Sequence, residues 1–167
     1  MKYMILVAVV CIVMVYVYIT KQGHKVKIGD KAPNFTLLDE SGNPRSLASF
    51  GNTVVVYFYP KDETPGCTSE ACSLRDGYAQ LQKNNITIVG ISYDSPESHA
   101  AFKKNHALPF TLLSDTNKEV ARAYGAYTPI MARRMTFLIH NGVIKEIFTD
   151  VDVNNHSAQI IAAFNKQ

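Results

Sequence analysis

Seven consecutive residues, Thr53-Val54-Val55-Val56-Tyr57-Phe58-Tyr59, are β-branched or aromatic, and the run stops at Pro60. A strand with one wet face alternates apolar and polar side chains, whereas an unbroken run is the pattern of a strand buried on both faces. Such strands belong to α/β layers, in which helices cover both sides of a sheet. The rest of the chain keeps to that scheme. Pro65 can open a helix, because proline is tolerated in a first helical turn, and Leu74, Tyr78 and Leu81 then recur at spacings of four and three. Residues 86–92 read as a second buried strand, and Ser95-Pro96-Glu97 caps and opens a helix to about His106. A short strand at 110–113 and a short helix at 117–124 follow. Asn141-Gly142 between two apolar runs is a strong hairpin signal, and the turn-rich stretch 40–44 suggests another. A last amphipathic helix from about Asn154 would bury Ile160, Ile161 and Phe164.

The N-terminus has a different composition. Met4 to Ile19 is sixteen residues without a charge, and Tyr3 and Thr20 extend the run to eighteen, the short end of what spans a bilayer. Lysines and tyrosines flank it as interface anchors do, and no small-residue cleavage site follows it. Cys11 lacks the context of a lipid-modified cysteine. The expectation is an uncleaved anchor over residues 1–20, a tether over 21–27 and one domain over 28–167. The bases after the run argue for a cytoplasmic domain, the short N-terminus for an exported one, and the exported side is the expectation carried forward. The formal charge of +3 has the same origin: residues 1–27 hold four lysines and no acid, leaving thirteen bases against fourteen acids elsewhere. A nucleic-acid surface is therefore not expected.

Of three cysteines, Cys11 lies in the apolar run, leaving Cys67 and Cys72. Two thiolates without a second pair or a closely spaced histidine pair do not make a zinc site, and the spacing is not Cys-x-x-Cys. His24, His99, His106, His140 and His156 are scattered and read as core or solvent-facing residues. Two core cysteines or a structural disulfide remain the plain readings. Position argues for reactivity instead. Cys67 would fall in the first turn of the helix after Pro65, where unpaired N–H groups favour a thiolate, and Thr64 stands on the same rim. Residues five apart in a helix differ by about 7.5 Å along its axis, and a disulfide rarely spans Cα atoms more than about 7 Å apart. Pairing of Cys67 with Cys72 would thus require the helix to unwind locally.

The spacing Pro60-x3-Thr64-x2-Cys67, within Tyr59-Pro60-Lys61-Asp62-Glu63-Thr64-Pro65-Gly66-Cys67-Thr68-Ser69-Glu70-Ala71-Cys72, resembles the active-site signature of peroxiredoxins, and of their Q-type (bacterioferritin comigratory protein) branch in particular. The resemblance runs over about 27–165 and opens at Ile28-Gly29-Asp30-Lys31-Ala32-Pro33-Asn34-Phe35. It implies a thioredoxin-like α/β fold, a central mixed sheet flanked by helices, here preceded by the expected transmembrane helix. It further implies Cys67 as peroxidatic cysteine, Thr64 bonded to it, Pro60 shielding it, and Cys72 as resolving cysteine. An arginine before the strand Thr136-Phe137-Leu138-Ile139 is implied too; Arg134 fits best, with Arg133 the neighbour a one-residue slip would choose. The implied partners are a peroxide and thioredoxin or a similar dithiol donor, with no cofactor and a monomeric chain; the membrane partner through residues 4–19 comes from the apolar run. Alternatives on the same scaffold are a membrane-tethered copper chaperone, a thiol–disulfide reductase and a redox sensor.

Overall fold

The computed structural model describes residues 26–166. Seven strands form one mixed sheet: β1 (Thr36–Asp39), β2 (Pro44–Ser46), β3 (Thr53–Phe58), β4 (Ile86–Ser92), β5 (Thr111–Ser114), β6 (Met135–His140) and β7 (Val143–Phe148), in the order β2-β1-β5-β4-β3-β6-β7. β3, β4 and β5 run parallel, while β6 and β1 join them antiparallel. The helices are α1 (Pro65–Asp76), α2 (Tyr78–Lys83), α3 (Pro96–Asn105), α4 (Glu119–Tyr124) and α5 (His156–Phe164).

Every residue of β3 is buried, as its unbroken apolar run requires. Val54, Val56 and Phe58 join one core with Ile91, Leu113, Phe137 and Tyr124. Val55 and Tyr57, with Tyr59 beyond the strand, face the other core, which holds Ala71 and Leu74 of α1, Leu81 of α2, Phe102 of α3 and Ile160 of α5. Asn141 and Gly142 both take positive φ, 51° and 74°, which gives the β6–β7 hairpin its tight turn. The register of β3 matters most for chemistry. Phe58 pairs with Met135, so the residues that follow β3 and those that precede β6 emerge at the same end of the sheet.

Two expectations are corrected. The spacing of Leu74, Tyr78 and Leu81 suggested one helix, but the chain breaks at Gly77 between α1 and α2. A Cβ at Gly77 would lie 2.4 Å from the Ser157 side chain, so the glycine lets α5 approach and the helix bends around it. The transmembrane helix is the second. Among the described residues no helix is long and apolar enough to cross a membrane, and residues 4–19 lie outside them. Over the described residues the fold is a thioredoxin-like α/β domain, and the expected transmembrane helix is withdrawn together with the membrane localisation, membrane partner and exported side. The apolar run suggested them through hydropathy, which measures transfer preference and not the presence of a spanning helix.

Gly90 in β4 tests the packing of this core. A Cβ there would stand 2.7 Å from the Tyr57 ring and 2.8 Å from Leu112, both fully buried. Gly90→Ala should therefore lower unfolding stability by about 1–3 kcal/mol in urea titration, the cost of overpacking a closed core. A loss below about 0.5 kcal/mol, ordinary for surface positions, would contradict this packing.

Candidate active site

Cys67 is the third residue of α1, 1% exposed, with Pro65 at the helix start and no acidic residue in the first turn. Thr64 is the N-cap in extended conformation, its carbonyl accepting from Thr68 N at 2.9 Å. Cys67 thus lies at the positive end of the helix, with no acidic residue in the first turn to compete for the unpaired N–H groups. Across the sheet end, Arg134 precedes β6 and donates from its Nη2 to Cys67 Sγ at 3.3 Å. Gly66 lies beside that guanidinium, at a position where a Cβ would be in ordinary contact with it at 3.4 Å. Arg133 is exposed, its backbone bonded to Ala126.

Arg134 holds a second partner. Its Nη1 donates to Glu70 Oε2, and Glu70, one helical turn after Cys67, is wholly buried. The other carboxyl oxygen, Oε1, has no hydrogen-bond partner among the described residues; His156 Nε2 of α5 stands 3.8 Å away. Gln159 Oε1 faces His156 Nδ1 at 3.0 Å and Thr136 Oγ1 faces Nε2 at 2.9 Å. An amide oxygen only accepts, so the His156 proton sits on Nδ1 and Nε2 accepts from the Thr136 hydroxyl. Burial pushes the His156 pKa down to about 4, so the ring is neutral and offers Glu70 no charge. Burial likewise pushes the Glu70 carboxyl up to about 7, against the pull of Arg134.

The loop between β3 and α1 carries the other expected residues. Pro60 is half-buried directly after Tyr59. The Thr64 hydroxyl donates to Lys61 O at 3.0 Å, so its proton is turned to the loop rather than to the sulfur. Asp62 is buried and tied to α3. Cys72 is a free, half-buried thiol in the third turn of α1, within the same unbroken helix as the free thiol of Cys67. The structure therefore brings Cys67 and Arg134 together, sets Thr64 and Pro60 on the adjoining loop, and holds Cys72 apart.

With this geometry in place, the comparisons are decisive. The model of the AhpC/TSA family matches residues 28–147. The chain belongs to the AhpC/TSA family. It is 43% identical over 148 residues to a protein of Coxiella burnetii described as peroxiredoxin bcp, a match covering 81% of this chain and 97% of that one. It is 47% identical over 131 residues to the chloroplastic peroxiredoxin Q of Sedum lineare, covering 75% of this chain and 70% of that one. In three dimensions it is similar to the peroxidoxin BcpB of Mycobacterium tuberculosis, with a TM-score of 0.81, 30% identity and coverage of 86% and 98%. This peroxiredoxin is a thiol-dependent peroxidase, an oxidoreductase. Its relatives do not favour the copper-chaperone or reductase alternatives.

Sequence reasoning missed Glu70, although its signal was present: a residue three after a cysteine in a helix shares that cysteine's face. The missed carboxyl sets a pH dependence. Glutamate ordinarily releases its proton near 4.5, whereas folded Glu70 keeps it to about 7. Stability held through that proton is full below 4.5 and is lost as pH rises through 7. The unfolding free energy of the wild type minus that of Glu70→Gln should therefore fall between these pH values, by about 3 kcal/mol at most. A difference that stays constant or rises with pH, read in urea titrations, would contradict the assignment.

Proposed function

We propose that this peroxiredoxin reduces hydrogen peroxide and organic hydroperoxides with Cys67 as attacking sulfur and Cys72 as resolving thiol. The observation that carries the reading is the Arg134 guanidinium at 3.3 Å from a sulfur in the first turn of a helix. A charged donor and unpaired N–H groups stabilise negative charge both on the sulfur and on oxygens bound beside it. The Cys67 thiolate attacks the terminal oxygen in line, the O–O bond breaks, and the departing oxygen takes up a proton to leave as water or an alcohol. Thr64 spends its hydroxyl proton on Lys61 and so keeps lone pairs to accept a hydrogen bond from the incoming hydroperoxide. Pro60, with no N–H to offer water, closes the other side. The product is a sulfenic acid on Cys67.

The Cys72 thiolate then attacks the Cys67 sulfur, the S–O bond breaks, and hydroxide leaves as water after protonation. Five helical residues separate the two sulfurs, about 7.5 Å along the axis, so the first turns of α1 unwind for this step. The far half of the helix has its own anchor: Ser73 Oγ accepts from Ser157 N at 3.4 Å, and Gly77 sits against the Ser157 side chain. A dithiol donor, thioredoxin or its equivalent, reduces the disulfide by exchange through a mixed disulfide.

Turnover assays on the full chain with a thioredoxin system test this. Cys67→Ser should remove peroxide consumption, and Cys72→Ser should leave a persistent sulfenic acid on Cys67 that a dimedone-type probe traps. Undiminished disulfide turnover in Cys72→Ser would reject the resolving role, and undiminished peroxide consumption in Cys67→Ser would reject the whole reading.

A further inference from the structure

A buried, hydrogen-bonded Asp62–His99 pair behind the Pro60–Thr64 loop has no part in the chemistry described so far. Asp62 and His99 are 4% and 0% exposed, on the loop and on α3. Asp62 Oδ2 accepts from Ser98 Oγ at 2.7 Å and faces His99 Nδ1 at 2.9 Å, while Oδ1 accepts from the Tyr59 hydroxyl at 2.7 Å. His99 Nε2 faces the Leu113 carbonyl of β5 at 3.2 Å. His99 Nδ1 also faces the Tyr59 hydroxyl at 3.3 Å, so the ring is held from both of its nitrogens. Burial would raise the Asp62 pKa, and the bonds from His99, Ser98 and Tyr59 reverse that and hold it below the usual range. The loop is tied at two further points. Asp62 N donates to Asp94 Oδ2 at 2.9 Å, and Asp94 is fixed by Ser92 Oγ at 2.7 Å. Glu63, at φ 60° in the left-handed region, bonds Asn105 and His106 at 2.9 Å each. A glutamate in that region is strained by about 1–2 kcal/mol, and the two side-chain bonds hold it there.

Side chains of α3, of Asp94 just after β4 and of His106 just after α3 bond the loop at residues 62 and 63; α1 reaches this set from its far end, where Arg75 Nη1 donates to the His106 carbonyl at 2.9 Å. The start of α1 depends on Arg134 for its contacts to Cys67 and Glu70.

We propose that Asp62 and His99 are positioning residues that keep the Pro60–Thr64 loop fixed while the first turns of α1 unwind and rewind. The pair makes the peroxide-facing half of the site a rigid platform against which Cys67 returns after each cycle. This rests on the reading of Cys67 as the attacking sulfur, and it separates two steps. Loosening the platform misplaces Thr64 and Pro60 relative to the sulfur and slows the peroxide reaction, where displacements near 1 Å cost about a hundredfold. It leaves the sulfenic acid to react with Cys72 at its former rate, because that step takes place with Cys67 away from the loop.

The test is stopped-flow kinetics on the full reduced chain, resolving sulfenic acid formation from disulfide formation, alongside a thermal melt. Asp62→Asn and His99→Leu should each slow the peroxide step by about tenfold or more while disulfide formation stays within about twofold. His99→Asn, which keeps a donor towards Asp62, should recover most of that loss. Ser98→Ala removes one donor and leaves the pair in place; it should slow the peroxide step by about two- to fivefold, a single hydrogen bond's worth, and it decides the matter if the stronger variants do not fold. Wild-type peroxide rates in Ser98→Ala or in folded Asp62→Asn overturn the proposal. So does an equal slowing of both steps, which would mark general destabilisation. Failure of the Cys67 reading would show separately, as a peroxide step in the otherwise native chain that survives Cys67→Ser.

Discussion

The antiparallel pairing of β3 with β6 is the constraint on which the site depends. Because Phe58 stands opposite Met135, the chain leaving β3 towards Pro60 and the chain arriving at β6 through Arg134 meet at one end of the sheet. The same strand is parallel to β4, and that arrangement needs a crossover connection, which α1 and α2 supply. The helix that carries Cys67 therefore begins where the guanidinium already lies. Without that register the sulfur and Arg134, 67 residues apart in sequence, would have no reason to meet.

Burial then decides how charge is distributed around the sulfur. Arg134 is shared between Cys67 and Glu70, and its side chain is 23% exposed, so it bridges solvent and core. Glu70 lies fully inside, where desolvation outweighs even an adjacent guanidinium and keeps the carboxyl neutral up to about pH 7. A neutral Glu70 leaves more of the Arg134 charge to act on the sulfur. Unwinding of α1 would carry Glu70 out of this setting, because it lies between Cys67 and Cys72 in the helix.

Much of this was legible in the sequence, for physical reasons that differ by element. The unbroken run of β3 and the Asn141-Gly142 turn are local patterns, and local patterns survive into the structure. The place of Cys67 in the first turn followed from Pro65, and Arg134 over Arg133 followed from the motif before β6. The close packing at Gly77 was not legible, because the side chain that fills the space of its Cβ is Ser157, eighty residues away. The scattered histidines concealed two buried ones: His99 finds Asp62, and His156 finds Thr136 and Gln159, through tertiary contacts with no sequence signature. The membrane expectation failed differently: it rested on the apolar run and its flanks, and no helix among the described residues supports it.

The most direct measurement of the central claim is peptide mass spectrometry on the reduced full chain after one equivalent of hydrogen peroxide. The account predicts a single new crosslink, between Cys67 and Cys72, with the loss of two hydrogens and no oxidation of either sulfur beyond the disulfide. Oxygen retained on another residue, or a Cys67 thiol unchanged after the peroxide is consumed, would contradict it.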